Sequence, residues 1–357
     1  MPIKILGAGV SGLTAAINLA KAGKKVVVFE AKPSVGKRFN PNLQALFTAK
    51  SIHDFFEGVN LDVNFVSKVI RYTRFISTDN EDIVFDWHPI KISFILRGGS
   101  EGSIEEGLLS QAEALGVEFR FNERKKEEDG DIVATGPRLA HGAAYGASFR
   151  RGSKMKDDEM LVILTNKIAL KGSYMYAVPN GEHIAIFYTG PACDIRQIKK
   201  YHQQGLQYFQ GYYEGEHLRT IVGYGNFLNP KTASINGRLY LGEAAGFQDP
   251  FMGFGNHLSI KSGYLAAKSI IERLDYDKLW KEEFKLSIDA GLALRFFSSL
   301  LGDWFVFRVI KAFHEKTMEF QTVGSQNNEY RASYLARSFI WFFSRAERLK
   351  KMVIGRW

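Results

Sequence analysis

Two glycine-rich segments lie about 230 residues apart: Gly7-Ala8-Gly9-Val10-Ser11-Gly12 near the start and Gly242-Glu243-Ala244-Ala245-Gly246 toward the end. The first follows an apolar run, Ile3-Lys4-Ile5-Leu6, that reads as a buried parallel strand. From Ser11 to Ala22 the spacing turns helical, with Leu13, Ala16, Ile17 and Ala20 on one face, and Gly23 ends the helix. Lys25 to Glu30 is a second strand, which completes a βαβ unit. In such a unit Gly7 permits the tight turn, Gly9 lets the backbone approach a pyrophosphate, and Gly12 brings the helix onto the strand. The helix start at Val10 and Ser11 offers N–H groups and the positive end of its dipole to phosphates. Glu30, next to Ala31, ends the second strand 18 residues after Gly12, where an acid accepts ribose hydroxyls and disfavours a 2′-phosphate. This much predicts a dinucleotide and does not choose between NAD and FAD.

The second segment narrows the choice. Asn236 to Leu241 reads as a turn and a short strand. After Pro250, Gly253-Phe254-Gly255 opens a helix from Asn256 to about Leu274, with small residues (Ser259, Ser262, Gly263, Ala266, Ala267) for close packing. A helix N-terminus there stabilises negative charge, and in a flavoprotein the useful charge is at the N1/O2 edge of the reduced ring. One chain returning to a single dinucleotide from both ends points to a bound flavin.

Gly242 to Ala267 resembles the "GDAAG…P…GxG…SG…AA" block of the geranylgeranyl reductase family, within the p-hydroxybenzoate-hydroxylase-like group of FAD enzymes. The resemblance implies that Glu243, standing for the family's Asp, contacts the ribityl or pyrophosphate region, and that Gly242, Gly253, Gly255 and Asn256 belong to the FAD site. Tyr174-Met175-Tyr176-Ala177-Val178-Pro179-Asn180-Gly181 resembles the family's substrate-cavity motif "YxWxFPxG", with Tyr176 for Trp and Val178 for Phe. The family's following "NVGxG" is not matched, and flavin halogenases carry a similarly spaced motif. A core strand ended by a Pro-Asn-Gly turn is the plain alternative. The resemblance also implies basic residues near the FAD phosphates or ring, here Arg38 and Arg97; a surface salt bridge is the alternative for each. Asp131 to Pro137, containing Thr135 and Gly136, is similar to the family's strand that returns beneath the adenine side.

The fold expected is α/β. A Rossmann-like FAD-binding domain (1–60, 97–140 and 231–275) is interleaved with an antiparallel-sheet substrate domain (61–96 and 141–230), and 276–357 form a helical C-terminal region. Strands are read at Phe65 to Arg71, Thr73 to Ser77, Ile83 to Trp87, Glu159 to Thr165, Ser173 to Val178 and His183 to Tyr188, with a helix near Ile195 to Gln210. No second GxGxxG with a following helix and acid occurs, so a nicotinamide donor would bind only transiently over the flavin; a ferredoxin-type donor or a reduced quinone is equally allowed.

Composition limits the rest. Cys193 is the single cysteine, so the chain forms no internal disulfide and carries no cysteine-ligated iron–sulfur cluster. With a strand at the very start and no visible signal peptide, this predicts a reducing, cytoplasmic setting. Of the net charge of +9, six lie from Arg295 to Trp357, where eleven Lys/Arg face five Asp/Glu among aromatic runs such as Phe339-Ile340-Trp341-Phe342-Phe343. No run of 18 uncharged apolar residues occurs. Such a tail either covers the substrate domain, forms a dimer contact, or rests peripherally on the inner membrane face. No nucleic-acid motif accompanies the basic residues, and no metal site is expected.

Three functions follow. The first is an FAD-dependent reductase of isoprenoid double bonds, with an apolar small-molecule substrate and Tyr174, Tyr176 or His257 as proton donor. The second is a flavin monooxygenase, with a halogenase as a weaker variant. The third is a membrane-surface protein with a non-redox flavin.

Overall fold

Val26–Glu30 carries four consecutive buried residues, the pattern of a strand covered on both faces. It belongs to a six-stranded sheet ordered Ser234–Ile235, Arg238–Tyr240, Ile132–Val133, Ile3–Leu6, Val26–Glu30, Glu118–Phe121. All neighbours are parallel except the first pair, a hairpin. The chain runs outward from Ile3–Leu6 to Val26–Glu30, then returns to Ile132–Val133 on the other side of the first strand. That reversal is a topological switch point, and the carboxyl ends of the strands beside it are where open α/β sheets bind ligands. Gly7, Ala134 to Gly136, and Gly242 all follow those ends. The computed structural model describes residues 1–311 except 39, 49–50, 77–81, 88–91, 165–172, 192–193 and 309.

Small residues join the two ends of the chain. The helices Val10–Lys21 and Asn256–Glu272 pack so closely that a Cβ on Gly263 would lie 2.4 Å from the Ser11 carbonyl oxygen. Behind them, Trp280 and Phe284 of the helix Tyr276–Leu301 close on Phe247, each with ring centroids at 4.9 Å. All belong to one core with the parallel sheet.

A seven-stranded sheet faces this unit. Its order is Tyr213–Gly225, Gly142–Arg151, His183–Pro191, Tyr174–Asn180, Glu159–Leu164, Tyr72–Ile76, Ile83–Asp86. Neighbours are antiparallel except Glu159–Leu164 and Tyr72–Ile76, which run parallel. Alternation splits its side chains between two cores: Met175 and Ala177 point into one, Tyr174 and Val178 into the other. A third sheet, Asn42–Phe47, Ile92–Arg97 and Ser67–Ile70, lies between.

The described structure differs from the sequence reading in several places. Ser67–Ile70, expected in the larger sheet, pairs instead with Ile92–Arg97. Two long strands, Gly142–Arg151 and Tyr213–Gly225, are not foreseen, because glycines dilute their strand pattern. One of these glycines makes room for a ring: a Cβ on Gly146 would lie 2.3 Å from Phe187 Cδ1. The helix near 195–210 is shorter, ending at Gly205 and continuing as a 3-10 turn. Cys193 and the tail from 312 to 357 lie outside the described residues. Among the described residues no helix is long and apolar enough to cross a membrane.

Candidate active site

One cavity opens between the carboxyl edge of the parallel sheet and the seven-stranded sheet. Its nucleotide-side wall is built from backbone. Gly7 has φ +103°, and a Cβ there would lie 2.4 Å from the Ala134 carbonyl oxygen. A Cβ on Gly12 would lie 2.1 Å from the Gly7 carbonyl oxygen. These two glycines hold turn, helix and neighbouring strand together, and neither lines the cavity. Gly9 is different: nothing lies within 4 Å of where its Cβ would sit, and Gly9, Val10 and Ser11 line the cavity. The helix they open has no side-chain N-cap, so its end presents backbone N–H groups to this space. Gly136 lines the same wall, while Thr135 is exposed and off it.

Glu30 and Ala31 also stand off the cavity. The Glu30 carboxylate accepts the Ala8 and Lys32 N–H groups, each at 2.9 Å, so it fixes the glycine turn to the end of its own strand. Gly242 donates its N–H to Ser262 Oγ at 2.9 Å and packs between Ser11 and Ser259, joining both helices rather than lining the space.

Two arginines hold different parts of the rim. Arg38 pairs with Glu243 at 2.8 Å, donates to the Tyr224 carbonyl at 2.8 Å, and lies 4.9 Å from the Tyr224 ring centroid. Both members of the pair line the cavity. Arg97 is buried, donates to Glu105 at 2.6 Å, and reaches the Asn256 side-chain oxygen. Asn256 in turn donates to the Ala45 carbonyl at 2.9 Å. This chain of bonds fixes the first turn of Asn256–Glu272, whose end, with Gly253 and Gly255, forms the cavity's next wall.

The far wall is aromatic. Tyr176 stacks on Phe187 with centroids at 4.9 Å, and Tyr174 lies 6.0 Å from Tyr176. Phe94, Phe227, Met252 and Phe254 complete it. Tyr174 donates its hydroxyl to the Met252 carbonyl. Burial raises the pKa of both phenols well above the ordinary tyrosine value, with the neighbouring Tyr176 phenol adding to the shift on Tyr174. Both therefore stay protonated at physiological pH.

Three further expected residues lie elsewhere. Val178 shares the face of Tyr174 and Tyr176 but is buried in core beyond the cavity. Pro179 falls on the opposite face, as strand alternation requires. His257 is one residue past the cavity-lining Asn256, on a side of the helix turned from the space. Its Nδ1 is buried without a partner among the described residues, and burial, aided by the nearby Lys261 charge, pushes its pKa down to about 4. It is therefore neutral and not placed to protonate a substrate. Conversely, Gln248, Tyr224 and Phe227 line the cavity and were not foreseen. Only Gln248 lies near a recognised motif; the others come from the unforeseen strand or directly after it.

Comparison with known proteins agrees with this architecture. The NAD(P)-binding Rossmann-like domain family matches residues 5–45. No curated protein matches the sequence. Among solved structures, a geranylgeranyl bacteriochlorophyll reductase-like protein from Thermoplasma acidophilum is 16% identical with a TM-score of 0.70, covering 98% of each chain. A variant of a flavin-dependent brominase is 13% identical with a TM-score of 0.65, covering 96% of this chain and 99% of that one. PqsL from Pseudomonas aeruginosa, described as a probable FAD-dependent monooxygenase, is 15% identical with a TM-score of 0.60, covering 84% and 96%. The chain thus has the fold shared by these flavoproteins, a Rossmann-like nucleotide-binding domain interleaved with an antiparallel-sheet domain and followed by helices.

Proposed function

We propose that this chain is an FAD-dependent oxidoreductase that reduces carbon–carbon double bonds of an isoprenoid chain. The observation that carries the reading is that both glycine segments meet at one cavity whose far wall is aromatic. The residues fit the cofactor. The Cβ-free space at Gly9, the uncapped helix start, Gly136 and Arg38 would hold the pyrophosphate; Gly253, Gly255 and Asn256 would hold the N1/O2 edge of the ring. When bound and reduced, FAD supplies the hydride for one alkene carbon.

The chain's own residues do the rest. Phe187, Phe227 and Phe254 exclude water and orient an apolar chain. A neutral phenol supplies the proton for the second carbon. Tyr174 is committed to the Met252 carbonyl, which makes Tyr176 the better candidate. The electron donor is a transiently bound NAD(P)H, a reduced quinone or a ferredoxin-type protein. We further read the setting as cytoplasmic. A monooxygenase acting on a flat aromatic substrate is the second reading, favoured by the Tyr176–Phe187 stack on the cavity wall.

An absorption spectrum of the purified protein tests this first. Flavin bands that bleach under anaerobic dithionite, and recover when a geranylgeranyl lipid is added, support the reductase. A flavin that stays reduced until oxygen enters, with substrate-stimulated NAD(P)H oxidation, moves the reading to the monooxygenase. A protein that neither contains nor takes up FAD overturns both.

A further inference from the structure

Phe227 stands two residues beyond the strand Tyr213–Gly225 and lines the cavity. Its backbone is held from both sides. Asn226 Nδ2 donates to the Glu243 carbonyl at 3.3 Å, and the Leu228 N–H donates to the Gly246 carbonyl at 3.4 Å. From this pinned base the ring lies between two opposed walls. On the sheet side it occupies the place of a missing side chain: a Cβ on Gly142 would lie 2.4 Å from Phe227 Cε2 and 2.9 Å from Cζ. On the nucleotide side, a Cβ on Gly253 would lie 4.0 Å from the same Cζ. The Arg295 guanidinium sits over the ring at 5.0 Å from its centroid and is itself tied to the Pro250 carbonyl at 2.9 Å. A ring that bridges both walls, on a held backbone and with a cation over its face, is a fixed obstacle at that end of the space.

We propose that Phe227 is a specificity-determining residue: its ring is the end stop of the substrate space and sets how many five-carbon units of an isoprenoid chain the site accepts. The inference rests on the isoprenoid reading above. The rest of the aromatic wall (Phe94, Tyr176, Phe187, Phe254) gains with each unit laid along it, because apolar burial is non-directional and scales with area. Such a wall favours longer chains and sets no limit of its own. A limit comes from a rigid group across the path. A chain one unit too long must push the ring off Gly142 and Arg295, or leave a unit outside in water, and either way the added unit gains nothing. Gly142 is part of the same device, since only a residue without a Cβ lets the ring lie against the sheet.

The test is equilibrium binding to the flavin-loaded protein, read by flavin and tyrosine spectral perturbation. The probes are geraniol, farnesol and geranylgeraniol, each one five-carbon unit longer than the last. In the wild type, affinity should rise by about tenfold or more for a unit that fits, then stop rising or fall at the unit that meets the ring. Phe227→Ala should move that break outward, so that the first probe the wild type gains nothing from binds about tenfold or more tightly. Phe227→Leu, which keeps more of the packing, should move it the same way by less, and it carries the test if the alanine variant does not fold. A wild-type series that climbs without a break overturns the proposal and leaves the isoprenoid reading standing, as does a break that stays in place in both variants. A variant that changes how fast every probe binds without moving the break makes the ring a door and also overturns it. Loss of flavin from both variants overturns it too, since the ring would then serve the cofactor. A flavin-loaded wild type that binds none of the probes removes the isoprenoid reading, and this inference with it.

Discussion

Three glycines of the first turn do three different things, and side-chain size separates them. Gly12 leaves no room: a Cβ would sit 2.1 Å from the Gly7 carbonyl oxygen, which is backbone and cannot swing away. Gly12→Ala must push the helix off its strand, an overpacking cost of about 2 kcal/mol. It should lower urea-unfolding free energy by that much and reduce flavin uptake with it. Gly9 has open space and an ordinary extended φ of −81°. Gly9→Ala should therefore keep wild-type stability to within about 0.5 kcal/mol, yet weaken FAD binding by about tenfold or more as its methyl enters the phosphate space. Urea titration beside FAD titration checks the pair; a stable Gly12→Ala, or a Gly9→Ala that binds FAD normally, contradicts these roles. The buried Arg97–Glu105 pair is a second residue-scale case. Glu105 is 1% exposed, so Glu105→Gln removes the buried negative charge that Arg97 pairs with. That should cost about 3 kcal/mol, far more than the loss of a surface ion pair.

At the scale of elements, the Asn256–Glu272 helix shows what periodicity can and cannot reveal. Its start and small-residue face are legible: Gly255 precedes it and Gly263 packs onto Ser11. Which side His257 faces is not, because one residue on a helix rotates about 100° and Asn256 takes the cavity side. The structure gives His257 a measurable signature instead. Its folded pKa, about 4, lies below the unfolded value of about 6.5, so the unfolded chain takes the proton first. Stability is flat above pH 6.5 and falls as pH drops toward 4, by about 2 kcal/mol once the residue's partial exposure is allowed for. His202 is shifted the same way by burial, so the measurement is the difference between wild type and His257→Gln, with chemical unfolding at pH 7 and 5. The variant should lose less stability on acidification; parallel losses would mean that His257 is not held neutral. Strand Tyr213–Gly225 was illegible for a related reason. It is an edge strand, exposed on both faces through 214–219, so no alternation marks it.

For the whole molecule, the glycine turn was readable, while of the opposite wall only Tyr174 and Tyr176 were, and contact range explains the split. The turn at Gly7 to Gly12 is local, with strand, helix and acid inside 30 residues. The aromatic wall joins Phe94, Tyr176, Phe227 and Phe254, which only the fold brings together. The rim between the two halves is pinned where Arg38 and Pro41 meet the edge strand: Arg38 donates to the Tyr224 carbonyl at 2.8 Å and Arg219 to the Pro41 carbonyl at 2.7 Å. Arg38 is thus both a pin and, paired with Glu243, a cation in the wall of the proposed pyrophosphate site. Linkage separates the two roles. FAD at a hundred times its Kd should raise the unfolding free energy of the wild type by about 2.7 kcal/mol. Arg38→Met should lower the stability of the FAD-free protein by less than about 1 kcal/mol, because the Arg38 side chain is 31% exposed and its ion pair is weak. At the same FAD concentration its stabilisation should shrink by about 1.4 kcal/mol, a tenfold weaker affinity. A variant that loses stability without FAD but gains the full increment with it would make Arg38 a pin alone, and the phosphates would then rest on the helix N-terminus and the glycine backbone.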